Sequence, residues 1–224
     1  MTDKSLVKEG GRCLIILPYI EGIEALQPAG LAEDADFVVC ADGGQTVAKE
    51  YGITPNTVIG DFDSTDTDFR FDCPYIAYPS EKDITDCEAC FLFAADRHFG
   101  KITVLGGMGG RIDHTMGAIG ALCAFFEKFP GGITFVDGRN TMTAVKDGTI
   151  VLERSDRYKY FSLFSLDEKA AGVSIKGAKY ELDDVVLPRA STLGISNEIA
   201  EDSAEITIRK GTVLVMRSSD PSAS

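Results

Sequence analysis

Asp61 and Asp63 stand two positions apart in the stretch VIGDFDST, directly after an apolar run and a glycine. If the strand that the apolar run predicts extends through them, both carboxylates face the same side, because side chains alternate along a strand, and Phe62 points back into the core. Two like charges held so close repel each other. A hard divalent cation balances them most simply, since Mg²⁺ takes one or two carboxylates plus substrate phosphates. The alternative is a solvated Asp-Ser turn.

A second strand end carries the stretch ADGG, residues 41 to 44, which predicts a strand ending at Asp42 and a helix after it. Gly43 and Gly44 would let a ligand approach the backbone, and the first N–H groups of the new helix favour an anion. The alternative is a tight strand-to-helix turn in which Asp42 is the helix N-cap. This stretch alone does not decide between them.

A third candidate segment is PSEKDITD, residues 79 to 86, which precedes an apolar helical pattern. Asp83 or Thr85 is placed to start that helix, with Asp86 in or near its first turn. Asp86 there either complements the helix dipole or binds a ligand. Lys82 can meet phosphate as a point charge or lie on the ordinary surface.

The fourth segment, GGMGGRIDH, predicts a strand that runs into a glycine-rich loop and then an apolar helix beginning near Asp113. It is not a P-loop, because no Gly-Lys-Ser/Thr follows, and the G-x-G-x-x-G pattern is absent. Glycines such as Gly109 and Gly110 still favour a backbone that closely approaches a phosphate, with Arg111 adding forked donors. Asp113 joins the metal cluster or caps the helix, and His114 binds ligand or packs.

The elements that position these residues follow from the hydrophobic pattern. Up to about residue 137, strands alternate with helices, which predicts βαβ units and a parallel sheet covered on both faces. The predicted strands are 13 to 19, 36 to 42, 56 to 61, 74 to 79, 101 to 106 and 132 to 138, and the predicted helices are 23 to 33, 44 to 51, 84 to 97 and 113 to 128. Ligands of such sheets bind outside the carboxyl ends of the strands, where all four segments lie.

After residue 138 the chain changes to short strand-like runs separated by Gly, Asp and Lys turns, with no long helix. That pattern predicts an antiparallel sandwich or barrel. The fold class is therefore α/β: a mostly parallel, Rossmann-like N-terminal sheet with flanking helices, followed by a C-terminal antiparallel β-sandwich domain. We place the boundary near 138 to 146, with domains at 1–140 and 141–224.

Composition narrows the function classes. The chain of 224 residues has a net charge of -13 and no basic cluster, which argues against nucleic acid as a partner. The apolar run from Cys13 to Ile20 is too short to span a bilayer, so no membrane association is expected. The six cysteines lie mostly in apolar segments, which indicates a reducing cytoplasm, and we interpret the Cys87 and Cys90 pair as ordinary helix positions.

In chain order the stretches DGG, GDFDS, KDITD and GGRIDHT, with GISNE near the C-terminus, resemble the motifs of the thiamine pyrophosphokinase family. The resemblance implies a nucleotide-binding α/β domain followed by a β-sandwich, in a homodimer with active sites at the interface. It also implies the reaction, in which ATP and thiamine give thiamine diphosphate and AMP with Mg²⁺ as cofactor. The N-terminal domain would be catalytic and hold nucleotide and metal, and the C-terminal domain would bind thiamine and dimerise.

The resemblance also implies roles for individual residues. The catalytic positions are Asp61, Asp63, Asp86 and Asp113, of which Asp61, Asp63 and Asp86 hold the metal. The positions for ATP and its phosphates are Asp42, Gly43, Gly44, Lys82, Asp83, Gly109, Gly110, Arg111 and His114. Ser196 and Asn197 belong to the thiamine pocket.

Three other functions fit the acidic strand ends. One is a metal-dependent nucleotide phosphohydrolase with water as the nucleophile, and another is a nucleotide-binding module without catalysis. The third is a related diphosphokinase that acts on another heterocyclic alcohol. The segment GISNE, residues 194 to 198, favours the pyrophosphokinase because neither a hydrolase nor a binding module needs it.

Overall fold

The computed structural model describes residues 9–62, 69–78 and 84–220. The chain forms two compact units, one up to Gly138 and the other from Arg139 onwards. The first is a parallel α/β unit and the second is built of antiparallel strands, as the sequence predicts. Within the described ranges, no helix is long and apolar enough to cross a membrane.

The first unit contains a six-stranded parallel sheet in the order β6-β5-β1-β2-β3-β4. Its strands are β1 (Arg12–Ile16), β2 (Phe37–Ala41), β3 (Thr57–Gly60), β4 (Tyr75–Ala77), β5 (Lys101–Leu105) and β6 (Ile133–Val136). Strands β2 and β3 are buried along their whole length, which is typical of a parallel sheet covered on both faces. All six predicted strands are present, each shorter at one or both ends.

In the described part of this unit, four helices accompany the sheet: α1 (Pro28–Glu33), α2 (Gly44–Glu50), α3 (Asp86–Asp96) and α4 (Ile112–Phe125), with short 3₁₀ turns at Ile23–Ala25 and Phe126–Lys128. Helix α3 is shorter than the predicted 84 to 97, and of the two residues predicted to start it Thr85 is the N-cap, since its side chain accepts a hydrogen bond from the Glu88 amide. The prediction of one helix over 23 to 33 is wrong. Pro28 is the first residue of α1, and a proline has no N–H to continue the preceding turn.

Helices α3 and α4 pack against each other through aromatic side chains. The ring of Phe91, which is fully buried, lies 5.6 Å from Phe125, 6.3 Å from Phe129 and 6.0 Å from Phe135. Rings at these separations contribute packing energy beyond their buried area. This cluster fixes the two helices whose N-termini carry Asp86 and Arg111.

The second unit is a sandwich of two antiparallel sheets, ordered β12-β9-β14-β7 and β11-β10-β13-β8. Its strands are β7 (Asn140–Lys146), β8 (Thr149–Glu153), β9 (Tyr160–Ser165), β10 (Lys169–Lys176), β11 (Leu182–Pro188), β12 (Asn197–Glu198), β13 (Ser203–Lys210) and β14 (Thr212–Ser218). Along β9, buried and partly buried side chains alternate. Buried residues of both sheets, including Phe161, Val173 and Ile206, form one core between them.

Candidate active site

The carboxyl ends of β2 and β3 place the first two acidic candidates side by side. Asp42 is 8% exposed, and its amide donates to the Ile59 carbonyl at 2.7 Å. A side chain at Gly60 would lie 2.8 Å from the Asp42 Cβ, so Asp42 packs directly against the residue that precedes Asp61. The sheet therefore brings Asp42 and the start of the acidic turn together.

The two glycines after Asp42 are required by the protein's own packing. A Cβ at Gly44 would lie 2.1 Å from the Ile16 carbonyl oxygen, and one at Gly43 would lie 3.1 Å from Pro18. Helix α2 thus starts in close contact with the chain leaving β1. The alternative prediction that Asp42 is the N-cap is wrong, because Gly43 holds that position and Asp42 has a left-handed backbone with φ 34°.

The acidic stretch GDFDS does not continue strand β3, which ends at Gly60. Phe62 has φ 59°, a left-handed conformation, so the expectation of an extended chain from Asp61 to Asp63 is wrong at this residue. The Phe62 side chain does point back into the core, as predicted, and its ring lies 5.5 Å from that of Tyr75. Asp61 is exposed, and Asp63 lies outside the described residues.

A cleft of about 670 Å³ lies in the first unit, at the ends of strands β1 and β5. It is formed by the chain after β1, the N-terminus of α3, the glycine-rich loop after β5 and the first turns of α4. Its walls are Leu17, Pro18, Tyr19, Ile84, Thr85, Asp86, Cys87, Gly107, Gly109, Gly110, Arg111, His114 and Ala118. Five predicted site residues therefore share one cavity: Asp86, Gly109, Gly110, Arg111 and His114.

The N-terminus of α3 brings Asp86 to the cleft as the first residue after the Thr85 cap. The neighbouring Cys87 is buried, and burial, with the nearby Asp86 and Glu88 charges, raises the pKa of its thiol to about 12. Such a thiol stays protonated, in agreement with a packing role for the Cys87 and Cys90 pair. The candidates Lys82 and Asp83 lie outside the described residues.

The loop after β5 has left-handed φ values at four glycines: Gly106, Gly107, Gly109 and Gly110. Helix α4 then begins at Ile112, one residue before the predicted start. The Arg111 guanidinium donates twice to Asp113, at 3.1 Å from Nε to Oδ1 and 2.5 Å from Nη2 to Oδ2. This pair lowers the pKa of Asp113 to about 2 and raises that of Arg111. Asp113 is therefore ionised, and its two carboxylate oxygens each accept a hydrogen bond from the Arg111 guanidinium.

Sequence reasoning missed Tyr19, which forms one wall of the cleft. A side chain at Gly110 would lie 3.1 Å from the Tyr19 ring, so the ring covers the backbone of the glycine-rich loop. The Tyr19 hydroxyl donates to the Glu21 carboxylate at 2.5 Å, and the ring remains 48% exposed. Its position just beyond a strand end was the available signal, because ligands bind there in open α/β sheets.

In the second unit, Ser196 and Asn197 stand next to each other at the start of β12 with different surroundings. Ser196 is exposed, whereas Asn197 is 2% exposed. The Asn197 Oδ1 accepts from the amides of Tyr180 at 3.0 Å and Glu198 at 2.9 Å, and its Nδ2 donates to the Tyr180 carbonyl at 2.7 Å. The Asn197 amide therefore holds the backbone of Tyr180, whose ring is 60% exposed.

The donor chemistry of the first unit fits a magnesium ion. Asp61, which is exposed, and Asp86, which lines the cleft, offer carboxylate oxygens, the ligands that Mg²⁺ prefers. Among residues 9–62, 69–78 and 84–220, no group of three or more His, Cys, Asp or Glu side chains is close enough to hold a metal alone. A Mg²⁺ ion held by one or two carboxylates takes its remaining ligands from water and substrate phosphates.

Together these features define an α/β protein with acidic and glycine-rich strand ends, followed by a β-sandwich unit. Comparison with known families agrees with this class. Residues 29–131 match the model described as thiamin pyrophosphokinase, catalytic domain, and residues 148–213 match thiamin pyrophosphokinase, vitamin B1 binding domain.

Individual relatives match over most of their length. The thiamine pyrophosphokinase of Bacillus subtilis is 28% identical over 196 residues, which is 85% of this chain and 91% of the relative. A solved Bacillus subtilis thiamine pyrophosphokinase has a TM-score of 0.82 at 25% identity, covering 93% of this chain and 100% of its own. The thiamin pyrophosphokinase structure from Geobacillus thermodenitrificans has a TM-score of 0.78 at 30% identity, covering 95% and 100%. The chain belongs to the thiamine pyrophosphokinase family, an enzyme family.

Proposed function

We propose that this chain transfers the β,γ-diphosphoryl group of ATP to the hydroxyl of thiamine, giving thiamine diphosphate and AMP. The observation that carries the proposal is the order of the two matched domains, catalytic and then vitamin B1 binding, over residues 29–131 and 148–213. The first matched segment contains the strand ends and helix N-termini that bring Asp86, Arg111 and His114 into one cleft.

The reaction needs the β-phosphorus held in line with the incoming hydroxyl while charge develops on the phosphate oxygens, so positioning and electrostatics supply most of the catalysis. Asp61, Asp63 and Asp86 would hold a Mg²⁺ ion. When bound, the metal neutralises phosphate charge and orients the oxygens. One carboxylate among Asp61, Asp63, Asp86 and Asp113 accepts the proton of the hydroxyl.

Basic groups and the glycine-rich loop contact the phosphates in this proposal. Arg111 exchanges its pairing with Asp113 for a phosphate, which offers the same bidentate geometry with more negative charge. Gly109 and Gly110 line the cleft beside it. Lys82 adds a point charge from the segment that precedes α3.

The thiamine site lies in the second unit, around Ser196 and Asn197. Ser196 is exposed for direct contact, and Asn197 acts by holding Tyr180, whose exposed ring offers an aromatic surface to a cationic heterocycle. The chain's net charge of -13 also favours a cation such as thiamine. Both residues lie inside the segment matched to a vitamin B1 binding domain, 148–213.

We propose further that the enzyme works as a homodimer, with the first unit of one copy completing its site with the second unit of the other. Apolar side chains are exposed beside both candidate regions. Ile112 and Met116 lie one turn apart on α4, next to Arg111, and Ile195 precedes Ser196. Analytical ultracentrifugation should give twice the mass of one chain, and a sharp monomer at micromolar concentration would contradict the dimer. We place the enzyme in the cytoplasm, since its six cysteines lie mostly in apolar segments, as small buried residues of a reducing compartment do.

The test is a mass-spectrometric product assay with ATP, Mg²⁺ and thiamine, beside reactions that omit thiamine or offer a pterin-like alcohol instead. We expect thiamine diphosphate and AMP together, only when thiamine is present. AMP without thiamine would indicate the nucleotide phosphohydrolase. A diphosphorylated product from the other alcohol alone would indicate a diphosphokinase of different acceptor specificity.

A further inference from the structure

We propose that Tyr75 and Gln45 are positioning residues that hold the Asp61–Phe62 turn in place for metal and phosphate. The inference rests on the proposed function for the role of Asp61. It concerns two side chains outside the cleft, neither of which the motifs single out. Their contacts connect the start of α2 to the acidic turn after β3.

The first contact is between aromatic rings. Phe62, directly after Asp61, has a left-handed backbone, so the chain leaves the extended conformation of β3 at this residue. Its ring lies 5.5 Å from that of Tyr75, at an interplanar angle of 54°, and both rings pack against the buried core of the first unit. The Tyr75 ring is thus the surface on which the turn rests.

The second contact fixes the Tyr75 ring itself. Its hydroxyl donates to the Oε1 of Gln45 at 3.0 Å and accepts from the Phe71 amide, also at 3.0 Å. The Arg70 guanidinium lies 4.8 Å from the ring centroid. Tyr75 is therefore held by two hydrogen bonds at its hydroxyl and by the Arg70 guanidinium over its ring.

The third contact is between Gln45 and Asp42, the residue that follows strand β2. Gln45 is only 3% exposed, and its backbone N–H donates to the Asp42 backbone carbonyl at 3.2 Å. A buried glutamine with its oxygen hydrogen-bonded has one orientation, because losing that bond leaves a polar atom unsatisfied. The contacts thus form a chain from Asp42 through Gln45 and Tyr75 to Phe62, beside Asp61. Partners that orient a metal ligand tune its affinity without touching the metal.

The test uses Tyr75→Phe, which removes one hydroxyl and keeps the ring. Thr57→Val is the matched control, because it removes the hydroxyl that donates to the Pro74 carbonyl at 2.8 Å, on the residue that opens β3. For each protein we would measure Mn²⁺ binding by electron paramagnetic resonance in the presence of α,β-methylene-ATP. This analogue has a methylene group between the α- and β-phosphorus, so its diphosphoryl group cannot be transferred. Turnover, the thiamine KM and the melting temperature are measured in parallel.

Tyr75→Phe removes both hydrogen bonds of the Tyr75 hydroxyl. We expect it to weaken Mn²⁺ binding and to lower kcat, each about fivefold, and to leave the thiamine KM unchanged. Thr57→Val should lower the melting temperature and leave Mn²⁺ binding and kcat at the wild-type values. Gln45→Leu should reproduce the Tyr75→Phe losses, and the double variant should add little to them.

Unchanged Mn²⁺ affinity in Tyr75→Phe would overturn the inference, and so would an equal loss in Thr57→Val or a wild-type protein that binds no Mn²⁺. Failure of the proposed function is a separate result. In that case the wild-type protein binds Mn²⁺ and forms no thiamine diphosphate, while the binding comparison still tests whether Tyr75 positions the turn.

Discussion

Replacing Asn197 by alanine should lower both the stability of the protein and its affinity for thiamine. The substitution removes three hydrogen bonds from a side chain that is 2% exposed. At about 0.5–1.5 kcal/mol each, they contribute about 3 kcal/mol to the free energy of unfolding. For a chain of this length that loss lowers the melting temperature by about 6–12 °C. Because Tyr180 loses its anchor, the thiamine KM should rise more than the ATP KM.

Ser196→Ala is the matched control, since Ser196 is the neighbouring residue and is exposed. Ser196→Ala should change the free energy of unfolding by no more than about 0.5 kcal/mol, as surface substitutions do, so its melting temperature should stay close to the wild-type value. Its thiamine KM should also rise more than its ATP KM. Scanning calorimetry and steady-state kinetics on the two variants measure all of these quantities. An unchanged melting temperature for Asn197→Ala, or an ATP KM that rises more than the thiamine KM, would refute the assignment of Asn197 as the anchor of the pocket.

Three further predictions concern the first unit. Gly44→Ala should destabilise the protein by about 1–3 kcal/mol in urea denaturation, because the new Cβ would clash with a carbonyl of β1. Gly120→Ala on α4, which has open space around it, should instead stabilise the protein by about 0.5–1 kcal/mol. Similar values for the two variants would contradict the packing argument. Arg111→Ala should return the Asp113 titration from about 2 toward 3.8 by carboxyl NMR. Since the pKa of Asp113 is lower in the folded protein, the ion pair stabilises the fold above pH 3.8, and this contribution is lost as the pH falls toward 2. An Asp113 titration midpoint that stays near 2 in Arg111→Ala would exclude Arg111 as the cause. Cys87, with its pKa raised to about 12, should resist alkylation at pH 8 until the protein unfolds, and rapid labelling of the native protein would contradict its burial.

The parallel sheet could be predicted from the sequence because most of its strands are short apolar runs, several of them followed by Asp or Gly. In β2 and β3 every residue is buried, so hydrophobicity alone marks them. The start of α3 was equally accessible, since a Thr85 N-cap followed by Asp86 and Glu88 is a local signal. In these cases neighbours in the chain determine the structure, so a local pattern is sufficient.

Features that depend on distant contacts escaped prediction. The left-handed backbone of Phe62 breaks the expected alternation, and it is accompanied by ring packing against Tyr75, 13 positions later. Likewise, the burial of Asn197 depends on Tyr180, which lies 17 residues earlier in the chain. Tyr19 was missed because its position at a strand end was not accompanied by a charge pattern. Tertiary contacts decide the backbone conformation of Phe62 and the burial of Asn197, and these two residues carry no local sign of them.

The most direct test of the account is a ³¹P NMR time course with ATP, thiamine and Mg²⁺, run on the wild-type protein and on Asp61→Asn. With the wild-type protein, AMP and thiamine diphosphate should appear in equal amounts. With Asp61→Asn, neither should form while the circular dichroism spectrum stays native, because the exposed Asp61 carboxylate adds little to the core. ADP in place of AMP, or transfer by Asp61→Asn at the wild-type rate, would contradict diphosphoryl transfer at this acidic strand end.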